Sequence, residues 1–165
     1  MTGDAAPDGA GKDGVGGVLA GVGAVRTGLL AASKKALFAQ FGAMAHDALG
    51  LDAEAVAEGL GARERLGSTG FGGGVAIPHV RLPGLPRIDA LIVRLAQPVA
   101  YRAVDDRPVD LAVALLSPTD AGAAHLKALA GVSRRLRDPV FVAKLRGAGS
   151  PDALYALWTA DGHGG

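Results

Sequence analysis

The sequence predicts a single layered α/β domain, a small mixed β-sheet flanked by helices, and three observations carry that expectation. Two segments between Ser33 and Arg63 place apolar residues at three- and four-residue steps, as helices do. Two apolar runs of strand length follow, at residues 88–95 and 109–116. Three further helix starts, at Asp120, Asp138-Pro139 and Ser150-Pro151, then close the pattern.

Residues 1–14 are mostly Gly, Ala, Asp and Pro, with almost nothing large to bury, so a mobile tail is expected there. The domain is expected over 15–160, with 161–165 as a disordered C-terminus. Ser33 suits the cap of a first helix in which Ala36, Leu37, Phe41, Met44, Ala45 and Leu49 share a face and Gly50 ends the run. Asp52 suits the cap of a second, through Ala55, Val56 and Leu60 towards Arg63, weakened near its end by Gly59 and Gly61. Residues 67–74 read GSTGFGGG, and five glycines in eight positions predict a loop able to take positive φ. Val75, Ala76 and Ile77 form a short strand-like run that stops at Pro78. Of the two longer runs, 109–116 is continuous enough to lie buried on both faces, at the centre of the sheet. Asp120 is expected to cap a long helix with Leu126, Leu129, Val132, Ser133 and Leu136 along one face. No internal repeat interrupts this order.

Bulk properties restrict the chemistry. The 165 residues suit one domain of ordinary size. Seventeen Lys and Arg against sixteen Asp and Glu are too balanced for the footprint of a general nucleic-acid binder. The absence of cysteine excludes disulfides, thiolate metal ligation and a thiol nucleophile. No run approaches the roughly 20 apolar residues of a membrane span. The stretch 15–30 imitates a signal sequence, but it is broken by glycines and preceded by Asp4, Asp8 and Asp13, so a cytoplasmic protein without membrane insertion is expected.

Four histidines remain as candidate chemical groups. His163 lies in the Gly-rich end and His46 on the first helix beside Asp47, where solvated or structural roles are the plain reading. His79 directly follows a strand-like run and Pro78, with the glycine loop just upstream. Proline fixes its own φ and biases Ile77 to an extended shape, which aims the next side chain reproducibly. A neutral imidazole is a suitable phosphoryl acceptor, and its product carries about two negative charges that need donors. Arg63, Arg65 and Arg81 flank the loop and the histidine, and charged hydrogen bonds of about 1.5–3 kcal/mol each suit phosphoryl oxygens. Backbone N–H groups of the glycine loop, at Ser68, Thr69 and Gly70, are candidate phosphate contacts. His125, in the first turns of the predicted long helix, can form a second wall of an anion site. The plain alternatives are a solvated loop histidine, surface arginines and a structural helix histidine. The loop lacks the Lys-Ser/Thr ending of a P-loop and the third glycine of a dinucleotide fingerprint, and the chain has no Gly-x-Ser-x-Gly or His-Glu-x-x-His. Neither a cofactor nor a metal is implied.

The run Arg63-Glu64-Arg65-Leu66-Gly67-Ser68-Thr69-Gly70, followed by Gly74-Val75-Ala76-Ile77-Pro78-His79, closely resembles the signature of IIA domains of the mannitol/fructose class of the bacterial phosphotransferase system. Ser33-Lys34-Lys35-Ala36, Arg107-Pro108-Val109-Asp110-Leu111 and His125-Leu126 with Leu129 extend the resemblance over roughly residues 20–158. Within the class, the Gly-Ser-Thr-Gly wording and the leucine-rich strand after Val109-Asp110 are most similar to the nitrogen-regulatory branch. The resemblance implies a histidine phosphocarrier, with His79 as acceptor from HPr or its nitrogen-branch homologue NPr, Arg63 as the active-site arginine and His125 as the second active-site histidine. It implies either a regulated protein target or, in a sugar-transport variant, a separate IIB protein as the next partner. A protein-binding module without phosphotransfer is the reading from another class. The chain departs from the family at Val80, where Gly usually follows the active histidine; a change in local backbone and partner fit is expected there.

Overall fold

The computed structural model of the chain describes residues 21–160. The tail over 1–14, the end over 161–165 and His163 lie outside that range. The elements are β1 (Gly21–Leu29), α1 (Lys34–Leu49), α2 (Ala53–Arg65), β2 (Gly70–Gly72), β3 (Val75–Ala76), β4 (His79–Leu82), β5 (Asp89–Val99), β6 (Val109–Pro118), α3 (Ala123–Leu136), α4 (Pro139–Gly147) and α5 (Pro151–Ala160). They form the expected α/β domain around one mixed six-stranded sheet in the order β1-β5-β6-β3-β2, with β4 also paired to β6. β5 and β6 are antiparallel, whereas β1 runs parallel to β5, and β3 and β4 parallel to β6.

Alternation along β6 divides the interior into two cores. Val109, Ala112, Ala114 and Leu116 pack with Leu37, Phe41, Val56 and Leu60 of α1 and α2. Leu111, Val113 and Leu115 pack with Val132, Leu145, Leu154 and Trp158 of α3, α4 and α5. A strand covered on both sides cannot alternate with polar residues, which explains its continuous apolar run. Each fully buried leucine contributes about 1.5–3 kcal/mol of transfer free energy.

The helix ends follow local chemistry. Ser33 accepts a hydrogen bond from the Ala36 N–H, Asp52 from Glu54, and Asp138 from Val140 and Phe141. Gly50 closes α1 in the left-handed region, with φ of 72°. Two expectations about α3 are corrected. Asp120 caps nothing: α3 begins at Ala123 behind Gly122, with no side-chain cap. Its inward stripe is His125, Ala128, Val132 and Leu136, and Leu126 is 61% exposed, because the histidine takes the inner position that the apolar pattern assigned to leucine. The stretch from Gly21, glycine-broken in sequence, is the edge strand β1.

The glycine segment is only partly a loop. Gly70–Gly72 pairs antiparallel with Val75–Ala76 across a turn, with Gly72, Gly73 and Gly74 at positive φ. The short run stops before Pro78 as expected, and pairing with β6 resumes at His79. Ala76 faces Ala112 and His79 faces Leu115, so β3 and β4 follow β6 in one register. The gap arises because proline has no N–H to give. Meanwhile the Ile77 N–H bonds to the Thr69 carbonyl, while the Pro78 carbonyl accepts from Leu115.

Candidate functional site

β4 places His79 and Arg81 on the face of α3, while Val80 and Leu82 pack into the core under α1 and α2. The departure at Val80 is thereby accommodated. A Cβ on Gly59 of α2 would stand 2.5 Å from the Val80 Cγ2, so the glycine that weakens the helix locally gives the valine its room. Val80 keeps ordinary backbone, since among the described residues only Arg102 and Asp106 have positive φ without being glycine.

The hydrogen bonds of His79 define its protonation. Nδ1 lies 2.8 Å from the Ile77 carbonyl oxygen, which can only accept, so Nδ1 carries the proton. Nε2 accepts from the Arg63 Nε–H at 3.2 Å and therefore presents its lone pair. Arg63, in the last turn of α2, also donates through Nη1 to the Gly67 carbonyl at 2.9 Å. Burial lowers the His79 pKa, and the charges of Arg63 and Arg81 lower it further against the opposing effects of the Ile77 carbonyl and Glu64. The ring is thus held neutral with a nucleophilic nitrogen beside a guanidinium.

His125 enters from the first turn of α3. Its ring centroid is 5.6 Å from that of His79, with the planes inclined by 49°. Its Nδ1 is 2.7 Å from the Ser117 Oγ at the end of β6. Burial and then the charge of Arg81 push its pKa down to about 4, so this ring is neutral as well.

The structure brings His79, Arg63 and His125 together, and it gives the three loop candidates other contacts. The Thr69 hydroxyl donates to Glu64 and meets the Tyr101 hydroxyl at 2.8 Å, and its backbone N–H also donates to Glu64. The Gly70 N–H donates to the Ser68 Oγ at 3.1 Å. A Cβ at Gly70 would come within 2.7 Å of Ala103, so that glycine is required by packing.

Sequence reasoning assigned no role to Glu64, Lys34, Tyr101 or Ser117. Glu64 is 8% exposed and pairs with Lys34 at 3.1 Å. Burial alone would raise its pKa, but hydrogen bonds from Thr69, Ser68 and Lys34 outweigh that and hold the carboxyl below its ordinary value. Burial pushes the Tyr101 hydroxyl well up, keeping it protonated, and Lys34 Nζ lies 4.7 Å from the Tyr101 ring centroid. Through Thr69 the cluster reaches the strand that carries His79, because the Thr69 carbonyl holds Ile77 and the Ile77 carbonyl holds His79. An acid between two arginines in the motif was the available signal for Glu64. For Ser117 it was a hydroxyl ending a buried apolar run, which must find a partner.

A groove of about 550 Å³ lies elsewhere, between Phe71, Leu136, Pro139 and Arg146, and contains none of these residues. Among the described residues no group of three or more His, Asp or Glu is placed to hold a metal. No described helix is long and apolar enough to cross a membrane.

Residues 22–160 match the model of the phosphoenolpyruvate-dependent sugar phosphotransferase system EIIA 2 family. The chain belongs to that family. This EIIA 2 domain is 45% identical over 125 residues to a nitrogen regulatory protein of Bradyrhizobium diazoefficiens, covering 76% of this chain and 82% of that one. It is 40% identical over 128 residues to the nitrogen regulatory protein of Escherichia coli, covering 77% and 78%. The crystal structure of nitrogen regulatory protein IIA-Ntr from Neisseria meningitidis superposes with a TM-score of 0.75 at 35% identity, covering 82% of this chain and 92% of that one. IIA mannitol of E. coli shares the fold, with a TM-score of 0.67 at 18% identity, covering 81% and 94%. The EIIA 2 domain is a phosphocarrier component of the phosphotransferase system, related to its nitrogen-regulatory members.

Proposed function

We propose that this domain is a nitrogen-regulatory phosphocarrier that receives a phosphoryl group on Nε2 of His79 from an HPr- or NPr-type histidine phosphocarrier. The observation that carries the reading is the fixed protonation of His79: the Ile77 carbonyl holds the proton on Nδ1, and Nε2 keeps its lone pair beside Arg63. In the transfer, the N–P bond of the donor phosphohistidine breaks as the Nε2–P bond forms, and the donor ring, protonated on its other nitrogen, leaves neutral with its lone pair recovered. No proton need leave Nδ1. The Arg63 guanidinium, displaced from Nε2 by the incoming group, turns its donors to the phosphoryl oxygens. The reverse step delivers the group to an acceptor.

Exposed Leu66 and Leu126, next to the arginine-bearing helix end and to His125 in sequence, favour a protein donor over a small molecule. Phosphorylation would add about two negative charges to a site bordered by arginines. That change suffices to alter binding of a regulated protein target, in a cytoplasmic setting where the donor proteins work.

The test is transfer from phosphoenolpyruvate through enzyme I and HPr or NPr to the full chain, beside His79→Ala. Acid-labile label on the wild type alone is the expected result. Equal labelling of His79→Ala overturns the assignment, and no label on a folded wild type with active donors of both kinds favours a binding module.

A further inference from the structure

We propose that Ser117 is a positioning residue that holds His125 in its Nε2–H tautomer, so that the second histidine offers a neutral hydrogen-bond donor to the space beside His79. The inference deepens the phosphocarrier reading and rests on it for its catalytic consequence.

Hydrogen-bond accounting decides the direction of the Ser117–His125 bond. Ser117 is 0% exposed, so its hydroxyl proton has no access to water. Among the described residues the single hydrogen-bond partner of its Oγ is His125 Nδ1, at 2.7 Å. Were Nδ1 to carry the ring proton and donate to Oγ, the hydroxyl hydrogen would be buried without an acceptor, at a cost comparable to a lost hydrogen bond. With the hydroxyl donating to Nδ1, both groups are satisfied and the ring proton sits on Nε2. The backbone favours the same pairing by placing both groups rigidly: Ser117 is on the central strand opposite Arg81, and His125 is buried in the first turn of α3.

The two histidines are therefore set in opposite tautomers by two kinds of partner. A carbonyl, which only accepts, makes His79 an Nε2 lone-pair nucleophile. A buried hydroxyl, which must donate, makes His125 an Nε2–H donor. With ring centroids 5.6 Å apart, one phosphoryl group on His79 can be met by Arg63 and by His125. The other tautomer of His125 would turn a lone pair towards anionic oxygens. The low pKa of His125 agrees, since a neutral ring has a tautomer to choose.

The experiment is a two-bond ¹H–¹⁵N correlation spectrum of the ¹⁵N-labelled full chain near neutral pH, followed by transfer kinetics. His125 is expected to show a protonated Nε2 and a bare Nδ1, and His79 the reverse. A protonated Nδ1 on His125 overturns the proposal. Ser117→Ala is expected to lower kcat for transfer from the phosphorylated donor about tenfold with KM unchanged, short of the about 10²-fold of losing a donor outright because the imidazole remains. Ser117→Thr keeps the hydroxyl and is expected to recover most of that rate. Wild-type kcat in folded Ser117→Ala overturns the positioning role, and where Ser117→Thr does not fold, the alanine variant and the wild-type spectrum decide. The spectrum needs no phosphorylation. A failure of the phosphocarrier reading would leave every variant unlabelled whatever the tautomer, and so is distinguishable from a failure of this one.

Discussion

Replacing Arg63 by alanine removes one residue with two separable jobs. Its Nη1 anchors the Gly67 carbonyl at 2.9 Å, and its Nε lies 3.2 Å from the nitrogen proposed to be phosphorylated. The first contact is an exposed hydrogen bond, so its loss should cost about 1 kcal/mol of stability or less. Loss of a donor aimed at developing charge costs far more in rate, about 10²–10³-fold or roughly 2.7–4 kcal/mol of transition-state stabilisation. The charge of Arg63 also lowers the His79 pKa, after burial, so its removal raises that pKa and protonates the acceptor nitrogen at a higher pH. Single-turnover transfer from a phosphorylated donor, followed from about pH 5 to about pH 8, reads both effects. The plateau should fall and the acid limb should move to higher pH, while urea midpoints stay near wild type. Arg63→Lys should restore the limb more fully than the plateau, because charge returns without the planar fork. A wild-type plateau, or an acid limb that moves to lower pH, would refute the assignment of Arg63 to the acceptor nitrogen.

Three other perturbations test the surrounding architecture. Gly59→Ala should lower stability by about 1–2 kcal/mol in urea titrations, because overpacking against Val80 at 2.5 Å outweighs the gain of up to about 1 kcal/mol in helix propensity. In a Val80→Gly background the same substitution should become neutral or stabilising, and an unchanged sign there would show that Val80 is not what Gly59 accommodates. Glu64→Gln should cost about 1–3 kcal/mol, since Lys34 loses its partner and Thr69 loses a charged acceptor, and an unchanged denaturation midpoint would contradict that role. Both His79 and His125 have folded pKa values below the ordinary 6.5, the latter at about 4, so the unfolded chain binds protons first as pH falls. The stability these two rings contribute should therefore be level above about pH 7 and fall through the window from about 6.5 to about 4, with a shallower slope in His125→Asn. A slope unaltered by that substitution would place the proton uptake elsewhere.

Local chemistry settled the part of the structure that was legible in the sequence. Ser33, Asp52 and Asp138 cap helices because a side-chain oxygen needs only its own next turn, and 109–116 reads as a central strand because both its faces are covered. The ordered Ser-Thr-Gly to Ile-Pro-His run points to His79 and, through the family resemblance, to Arg63 and His125. Tertiary structure decided what depends on neighbours distant along the chain. β1 was hidden in a glycine-rich stretch because an edge strand is held by its partner β5 and needs little apolar patterning of its own. His125 displaced Leu126 from the buried stripe because Ser117, on another element, supplies the hydrogen bond that makes burial of an imidazole tolerable. The room for Val80 comes from Gly59, which lies beneath it only in the folded chain. The residue types in the site were fixed by sequence, but the nitrogen that carries each proton follows from which carbonyl or hydroxyl the fold brings within 3 Å of the ring.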